Sequence, residues 1–194
     1  MTETVPALRL IAAAFESQSA LMALLNAEPQ LMNERTGLGE TPLHYLAVEN
    51  QLDAVRLLIA RGAAVSTLNE CRTTPLSDAA SLGYEEMVGL LLEHGAMLHV
   101  PGQEEPVLHG AVRHGTVQVV QRLLIAGASP NEVDDMMQTP LHVAAESDDC
   151  VPVLQLLLGA GAQTSLRCSF GDTPLDLALR RGSSRCAEIL AKFN

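Results

Sequence analysis

Three of the six histidines, with the four cysteines, are the residues most capable of chemistry in this chain. Imidazole is a general base and a common metal ligand, and a thiol is a nucleophile when a base activates it. Either role needs convergence. A structural zinc site takes four ligands at close spacing, and a nucleophile needs its base within hydrogen-bond reach. His44, His109 and His142 lie 65 and 33 residues apart. Cys71, Cys150, Cys168 and Cys186 are scattered, with no CxxC pair, so free thiols in a reducing compartment are the simpler account. There is no GxSxG, no phosphate-binding glycine loop and no HExxH. His94, His99 and His114 fall at loop or helix-end positions and read as solvated. The residues therefore predict no catalytic group, no metal and no cofactor.

The histidines have a different regularity. Each closes a short motif: Thr41-Pro42-Leu43-His44, Pro106-Val107-Leu108-His109 and Thr139-Pro140-Leu141-His142. Thr74-Pro75-Leu76-Ser77 and Thr173-Pro174-Leu175-Asp176 put other hydrogen-bonding residues in the same slot. The five leucines are separated by 33, 32, 33 and 34 residues, a period that marks a stacked repeat architecture. One His per layer does not gather around an ion. Each motif reads as a helix start. Thr is a favourable N-cap, and Pro at the first helical position gives up an amide that has no partner there anyway. Leu then points inward, followed by close-packing pairs such as Leu46-Ala47, Ala79-Ala80, Ala144-Ala145 and Ala178-Leu179.

A second helix follows in every unit, as in Val55-Arg56-Leu57-Leu58 and Val120-Gln121-Arg122-Leu123-Leu124. The pairs Gly62-Ala63, Gly95-Ala96, Gly127-Ala128 and Gly161-Ala162 end it, since glycine takes the left-handed cap without steric cost. Gly to the next Leu is 14 residues in three cases but 13 from Gly95 to Leu108. The loop near Val100 to Glu105 is thus one residue short. Leu141 to Gly161 is one residue longer than its counterparts, which puts an insertion near Ser147 to Cys150 and places Pro152 in the first turn of a helix.

This pattern resembles the ankyrin repeat, and the resemblance covers essentially the whole chain. It implies an all-α solenoid of stacked helix-turn-helix units with β-hairpin-like finger loops. As a single domain over 1–194, the units would be an N-terminal cap at 8–36, internal repeats at 37–69, 70–101, 102–134 and 135–167, and a C-terminal cap at 168–194. Leu10, Ala14 and Leu24-Leu25 carry the first unit, with Glu28-Pro29 in place of the glycine stop. Ala187 to Leu190 and a polar end at Lys192 and Asn194 carry the last. By the same resemblance, the slot histidines turn inward and bond the neighbouring unit's backbone. Asn33 and Asn131 stand where some family members are hydroxylated. The usual acidic residue two places earlier is Leu31 and Ser129 here, which favours a structural role.

Composition limits the partners. The net charge is -11, so phosphate backbones and anionic lipid are repelled. The start of the chain, Met1 to Pro6, has no basic segment before an apolar run and does not read as a signal peptide. No apolar run approaches the ~18 residues of a membrane span. A cytoplasmic, monomeric protein without nucleic-acid, membrane or metal partners is expected.

What remains is a protein partner. The resemblance implies recognition by finger tips and exposed first-helix positions on a concave face. Tip residues are Leu38, Arg72, Met136, Met137 and Phe170; the helix strip is Tyr45, Val48, Glu49, Asp78, Leu82, Arg113, His114, Glu146 and Arg180. The tip glycine is kept at Gly39 and Gly171, while Arg72 and Met137 replace it. The large apolar tips either face solvent or fold back between fingers, and Tyr45 either faces a partner or lies on its neighbour. With no other domain visible, such a chain acts as an inhibitor, adaptor or regulatory subunit. A secreted microbial effector that binds host proteins is the alternative, and an enzyme the more remote one.

Overall fold

The structure is a computed structural model and describes residues 6–193; residues 1–5, on which the signal-peptide reading largely falls, and Asn194, the last residue of the C-terminal cap read above, lie outside them. The described residues form twelve α-helices and no strand. In order they are α1 (Pro6–Glu16), α2 (Gln18–Ala27), α3 (Pro42–Val48), α4 (Leu52–Ala60), α5 (Pro75–Ser81) and α6 (Glu85–Glu93). There follow α7 (Val107–His114), α8 (Val117–Ile125), α9 (Pro140–Ala145), α10 (Val151–Gly159), α11 (Pro174–Arg181) and α12 (Ser184–Leu190). Two 3-10 turns, Pro29–Asn33 and Asp148–Cys150, complete the set.

Each full TPL motif starts its helix where the sequence puts it. Thr41 is extended (φ −83°, ψ 163°) and Pro42 opens α3; Pro75, Pro140 and Pro174 open α5, α9 and α11 in the same way. Second helices stop at glycines in the left-handed region, as at Gly62 (φ 92°). The 3-10 turn at Asp148–Cys150 absorbs the inserted residue, and Ser147 Oγ accepts from the Asp149 amide within it. Pro152 is the second residue of α10, inside the turn where its missing N–H costs nothing.

The chain divides into two compact units. The first comprises residues 6–79 and 86–104. In it α1 packs on α2 and α3, α2 on α4, and α3 on α4. Leu10, Leu25, Leu43, Leu46 and Leu58 are fully or almost fully buried there, each such side chain contributing about 1.5–3 kcal/mol. The Arg9–Glu28 ion pair (2.6 Å) ties α1 to the end of α2, where a glycine stop is absent. The second unit comprises residues 80–85 and 105–193. Here α7, α9 and α11 pack in succession, and α8, α10 and α12 pack behind them. Leu108, Leu123, Leu141, Leu154 and Leu157 form its core.

A side chain bonds from one repeat to the next. Asn33 Oδ1 accepts from the Ala64 amide (3.1 Å), Ser66 Oγ from Met97 (2.9 Å) and Asn131 Oδ1 from Gln163 (2.8 Å). The Asn131 side-chain amide also donates to the Gly161 carbonyl (3.1 Å). Asn33 and Asn131 are thus loop clamps.

The last repeat corrects one expectation. Leu175 is only half-buried and Leu179 is 65% exposed. An inward-facing register buries a side chain only when another layer covers it, and none of the described residues stacks on that face of α11.

Asn131→Ala is expected to lower stability by about 1–2 kcal/mol, because it unpairs the Gln163 amide and the Gly161 carbonyl. Asn131→Asp, which keeps the acceptor, should lose less; urea denaturation followed by circular dichroism compares them.

Candidate functional site

The slot histidines hold backbone, and their geometry fixes the tautomer. The Thr41 amide donates to His44 Nδ1 (3.2 Å), so that nitrogen carries no proton. His44 Nε2 then donates to the Thr73 carbonyl of the following finger (3.3 Å). His142 repeats the arrangement, with Thr139 N–H on Nδ1 (3.1 Å) and Nε2 on Asp172 O (3.1 Å). Ser77 and Asp176 complete the helix-start half of the clamp, accepting from Thr74 N–H (2.8 Å) and Thr173 N–H (2.9 Å). The degraded motif departs for a chemical reason. Proline has no N–H, so with Pro106 at the cap position His109 Nδ1 is buried without a partner, although Nε2 still bonds Gln138 O (2.8 Å).

Burial holds His44 down to about 4 and also lowers His142, since a charged ring would have no water around it. Burial moves Asp78 the other way, up to about 6; a bond from Thr73 opposes the shift and the Glu40 carboxylate adds to it.

The finger tips are tight turns. Gly39 N–H bonds Thr36 O, Arg72 N–H bonds Asn69 O, Met137 N–H bonds Asp134 O, and Gly171 N–H bonds Cys168 O, all within 2.8–3.0 Å. Successive tips are tied by single backbone bonds: Glu70 N–H to Leu38 O (3.0 Å), Glu104 N–H to Arg72 O (3.2 Å) and Ser169 N–H to Met136 O (2.9 Å). This is a hairpin-like finger without a strand ladder. The short loop turns at Val100–Gln103 and is fastened by Arg72 Nε on Gly102 O.

Arg72 (φ 57°) and Met137 (φ 56°) hold the left-handed backbone that glycine takes at Gly39 (φ 71°) and Gly171 (φ 82°). For a residue with a Cβ this costs about 1–2 kcal/mol. The substitution preserves the tip geometry and stores strain there.

The sequence-derived site residues divide into groups. Leu38, Met136, Met137 and Phe170 all face solvent, Leu38 at 60% and Phe170 at 65%. Of these, Met136, Met137 and Phe170 sit on adjoining tips of the second unit. Tyr45 is half-buried, its ring edge-on to Phe15 of α1 at 6.4 Å between centroids. Phe15 is therefore part of the Tyr45 surface; its separation in sequence concealed this. Val48, Glu49 and Leu82 are exposed, and Asp78 is half-buried. The charged candidates are tied to neighbours: Arg113 to Glu105, Arg180 to Asp172 (2.6 Å), and Glu146 to Arg181 (3.2 Å). Arg113 and His114 line a cleft of about 380 Å³ with Ser81, Glu105 and Gly110. Gly110 is required there, because a Cβ would lie 2.2 Å from Ser81 Oγ. Its sequence signal was a glycine where other first helices carry Tyr45, Asp78, Val143 and Leu177.

The family model described as "Ankyrin repeats (3 copies)" matches residues 10–101 and again residues 108–194. The chain belongs to the ankyrin-repeat family. The unmatched residues 102–107 are those of the short loop and the proline cap. Among its relatives, a putative ankyrin repeat protein of fowlpox virus is 37% identical over 108 residues, covering 56% of this chain and 76% of its own. The nuclear factor NF-kappa-B p105 subunit of Gallus gallus is 29% identical over 165 residues, covering 82% of this chain but 17% of its own. The human ankyrin repeat and SOCS box protein 16 is 34% identical over 170 residues, covering 82% of this chain and 37% of its own. The chain thus spans well under half the length of the latter two relatives. No helix among the described residues is long and apolar enough to cross a membrane.

Two expectations follow. His44→Ala should cost about 2–4 kcal/mol, because it strands the Thr41 amide and the Thr73 carbonyl, and His109→Ala about 1 kcal/mol less, since one of its bonds is already missing. The second concerns pH. The unfolded chain protonates His44 near 6.5 and the native chain near 4, so its stability contribution is complete above 6.5 and is lost as pH falls toward 4. That loss amounts to about 3 kcal/mol. Asp78 opposes it, because its native carboxyl, held at about 6, binds a proton before the unfolded one. Urea denaturation at neutral and mildly acidic pH should show a smaller acid loss in His44→Gln and a larger one in Asp78→Asn.

Proposed function

We propose that this chain is a non-enzymatic protein-binding module that acts as an adaptor, inhibitor or regulatory subunit, and that the tip cluster Met136, Met137 and Phe170 is a principal contact. The reading rests above all on Met137. A large apolar side chain is kept, exposed, on a backbone where glycine would relieve strain, and strained residues of this kind persist where they serve a purpose. Methionine and aromatic side chains are enriched at interface cores, and Phe170 adjoins Met136 through the backbone bond between their tips. Leu38, with Tyr45 and Phe15, forms the candidate surface of the first unit. Membership of an interaction family supports the general role, and the four unpaired cysteines accord with a reducing compartment.

Met137→Gly separates stability from binding. It should raise stability by about 1 kcal/mol while weakening partner capture. The combined variant Met136→Ser, Met137→Ser, Phe170→Ser should keep its helical circular dichroism and lose the proteins that the wild type retains from lysate. Unchanged capture by the triple variant would remove the tips from the binding site.

A further inference from the structure

The two units treat their surface charges differently. In the second, arginines pair with carboxylates: Arg122 with Glu85 (3.0 Å), Arg180 with Asp172 (2.6 Å), Arg181 with Glu146 (3.2 Å) and Arg113 with Glu105. In the first, Arg9 pairs with Glu28, but three other guanidiniums are engaged by uncharged groups. Arg35 donates to the Gly39 and Leu68 carbonyls (both 2.7 Å), Arg61 to Asn26 Oδ1 (2.9 Å) and Arg72 to the Gly102 carbonyl. Residues 6–79 and 86–104 hold eleven acidic and five basic side chains. Among the described residues no lysine or arginine forms an ion pair with Glu40, Glu49 or Asp78.

These carboxylates border the apolar surface of the first unit. Leu38, 60% exposed, stands two residues before Glu40 on one finger. Asp78 holds in α5 the position that Tyr45 holds in α3, and His44 Nε2 on Thr73 O clamps the two repeats together. The Tyr45 ring meets the exposed Phe15, and Val48 and Glu49 lie exposed at the end of the same helix. Glu40 is close enough to Asp78 that its charge adds to burial in raising the Asp78 carboxyl to about 6. A half-buried carboxylate beside a second one lacks a counter-charge, and a cation brought to them stabilises both.

We propose that this surface receives a basic segment of a protein partner, with a lysine or arginine between Glu40 and Asp78 and adjoining apolar side chains on Leu38, Tyr45 and Phe15. This rests on the reading of the chain as a protein-binding module and gives the partner its chemistry. The apolar residues supply the contact core and the carboxylates select the sign of the partner. A neutral or acidic segment would leave Glu40 and Asp78 unpaired and more deeply buried, so the surface discriminates against it.

Selection of random displayed peptides on the immobilised full chain tests it, followed by fluorescence anisotropy of the enriched peptides. The expected peptides carry lysine or arginine beside an apolar residue and bind more weakly as salt rises. Glu40→Gln combined with Asp78→Asn should weaken them about tenfold or more, and Leu38→Ser should do so by less. Glu86→Gln combined with Glu93→Gln removes the same charge from exposed positions on α6 and should change affinity by less than about twofold. Both double variants should keep their helical circular dichroism at neutral pH. In the complex, carbon-13 NMR should find the Asp78 carboxyl titrating lower than in the free chain, a shift that a purely structural carboxylate would not show. Enrichment of peptides without a cation overturns the proposal, as do equal binding by the Glu40 and Asp78 variant, an unmoved Asp78 titration and a selection that enriches nothing. Peptides lost instead on Met136→Ser, Met137→Ser, Phe170→Ser put the contact on the second unit; they overturn this inference and leave the binding role of the chain standing.

Discussion

No helix pair in this chain could stand alone. The paired helices that follow the first repeat run only six to nine residues, short of the ~12–15 at which even favourable isolated helices become marginal in water. Each pair is held because its apolar face is covered by another. The slot His, Ser or Asp and the loop Asn or Ser then satisfy polar groups that stacking would otherwise strand. Burial comes first, and the hydrogen bonds give it register. A shift of one residue would lose the Thr amide on His Nδ1 and the carbonyl on Nε2 at once.

That dependence explains why an imidazole in this slot is structural chemistry and not latent catalysis. A ring whose lone pair already accepts an amide and whose one N–H already donates to a carbonyl has neither nitrogen free for proton transfer at neutral pH. Burial lowers its basicity further. Proline at position 106 disturbs the same balance without breaking it. The loop is a residue shorter, the cap amide is gone, and His109 keeps the one bond that reaches the next finger. The family model breaks over the same residues, and one of the three points at which the chain passes between the two compact units falls among them.

The rhythm of the fold was legible because it depends on local chemistry repeated many times: a Thr cap, a first-turn proline, a glycine stop. The insertion at Asp148 and the deletion before Leu108 were legible for the same reason, as differences between two independent rulers. Placement of the first-helix side chains was less so. Tyr45 and Leu179 occupy positions whose direction follows from helical spacing, but their exposure depends on what lies across from them. For Tyr45 that is Phe15, thirty residues away. For Leu179 it is the lack of a covering layer among the described residues. Gly110 could be seen as an exception in its slot, yet only the Ser81 hydroxyl 2.2 Å from its hypothetical Cβ says why.

Arg72 and Met137 lie between these cases, and they show how a repeat separates framework from recognition. Alignment with Gly39 and Gly171 says that the backbone there is left-handed, and the φ angles agree. Two outcomes were open at such a position: the turn could relax to suit the side chain, or the side chain could be carried on a strained turn. The turn is the constrained partner. The bonds that close it onto Asn69 and Asp134, and the amide–carbonyl bonds from tip to tip, run through backbone atoms of residues 72 and 137 and do not need the side chains there, although Arg72 adds one from its Nε to Gly102 O. The framework therefore imposes the geometry and leaves the side chain as the variable. At these two tips that variable is filled by an exposed guanidinium and an exposed thioether where glycine would cost less.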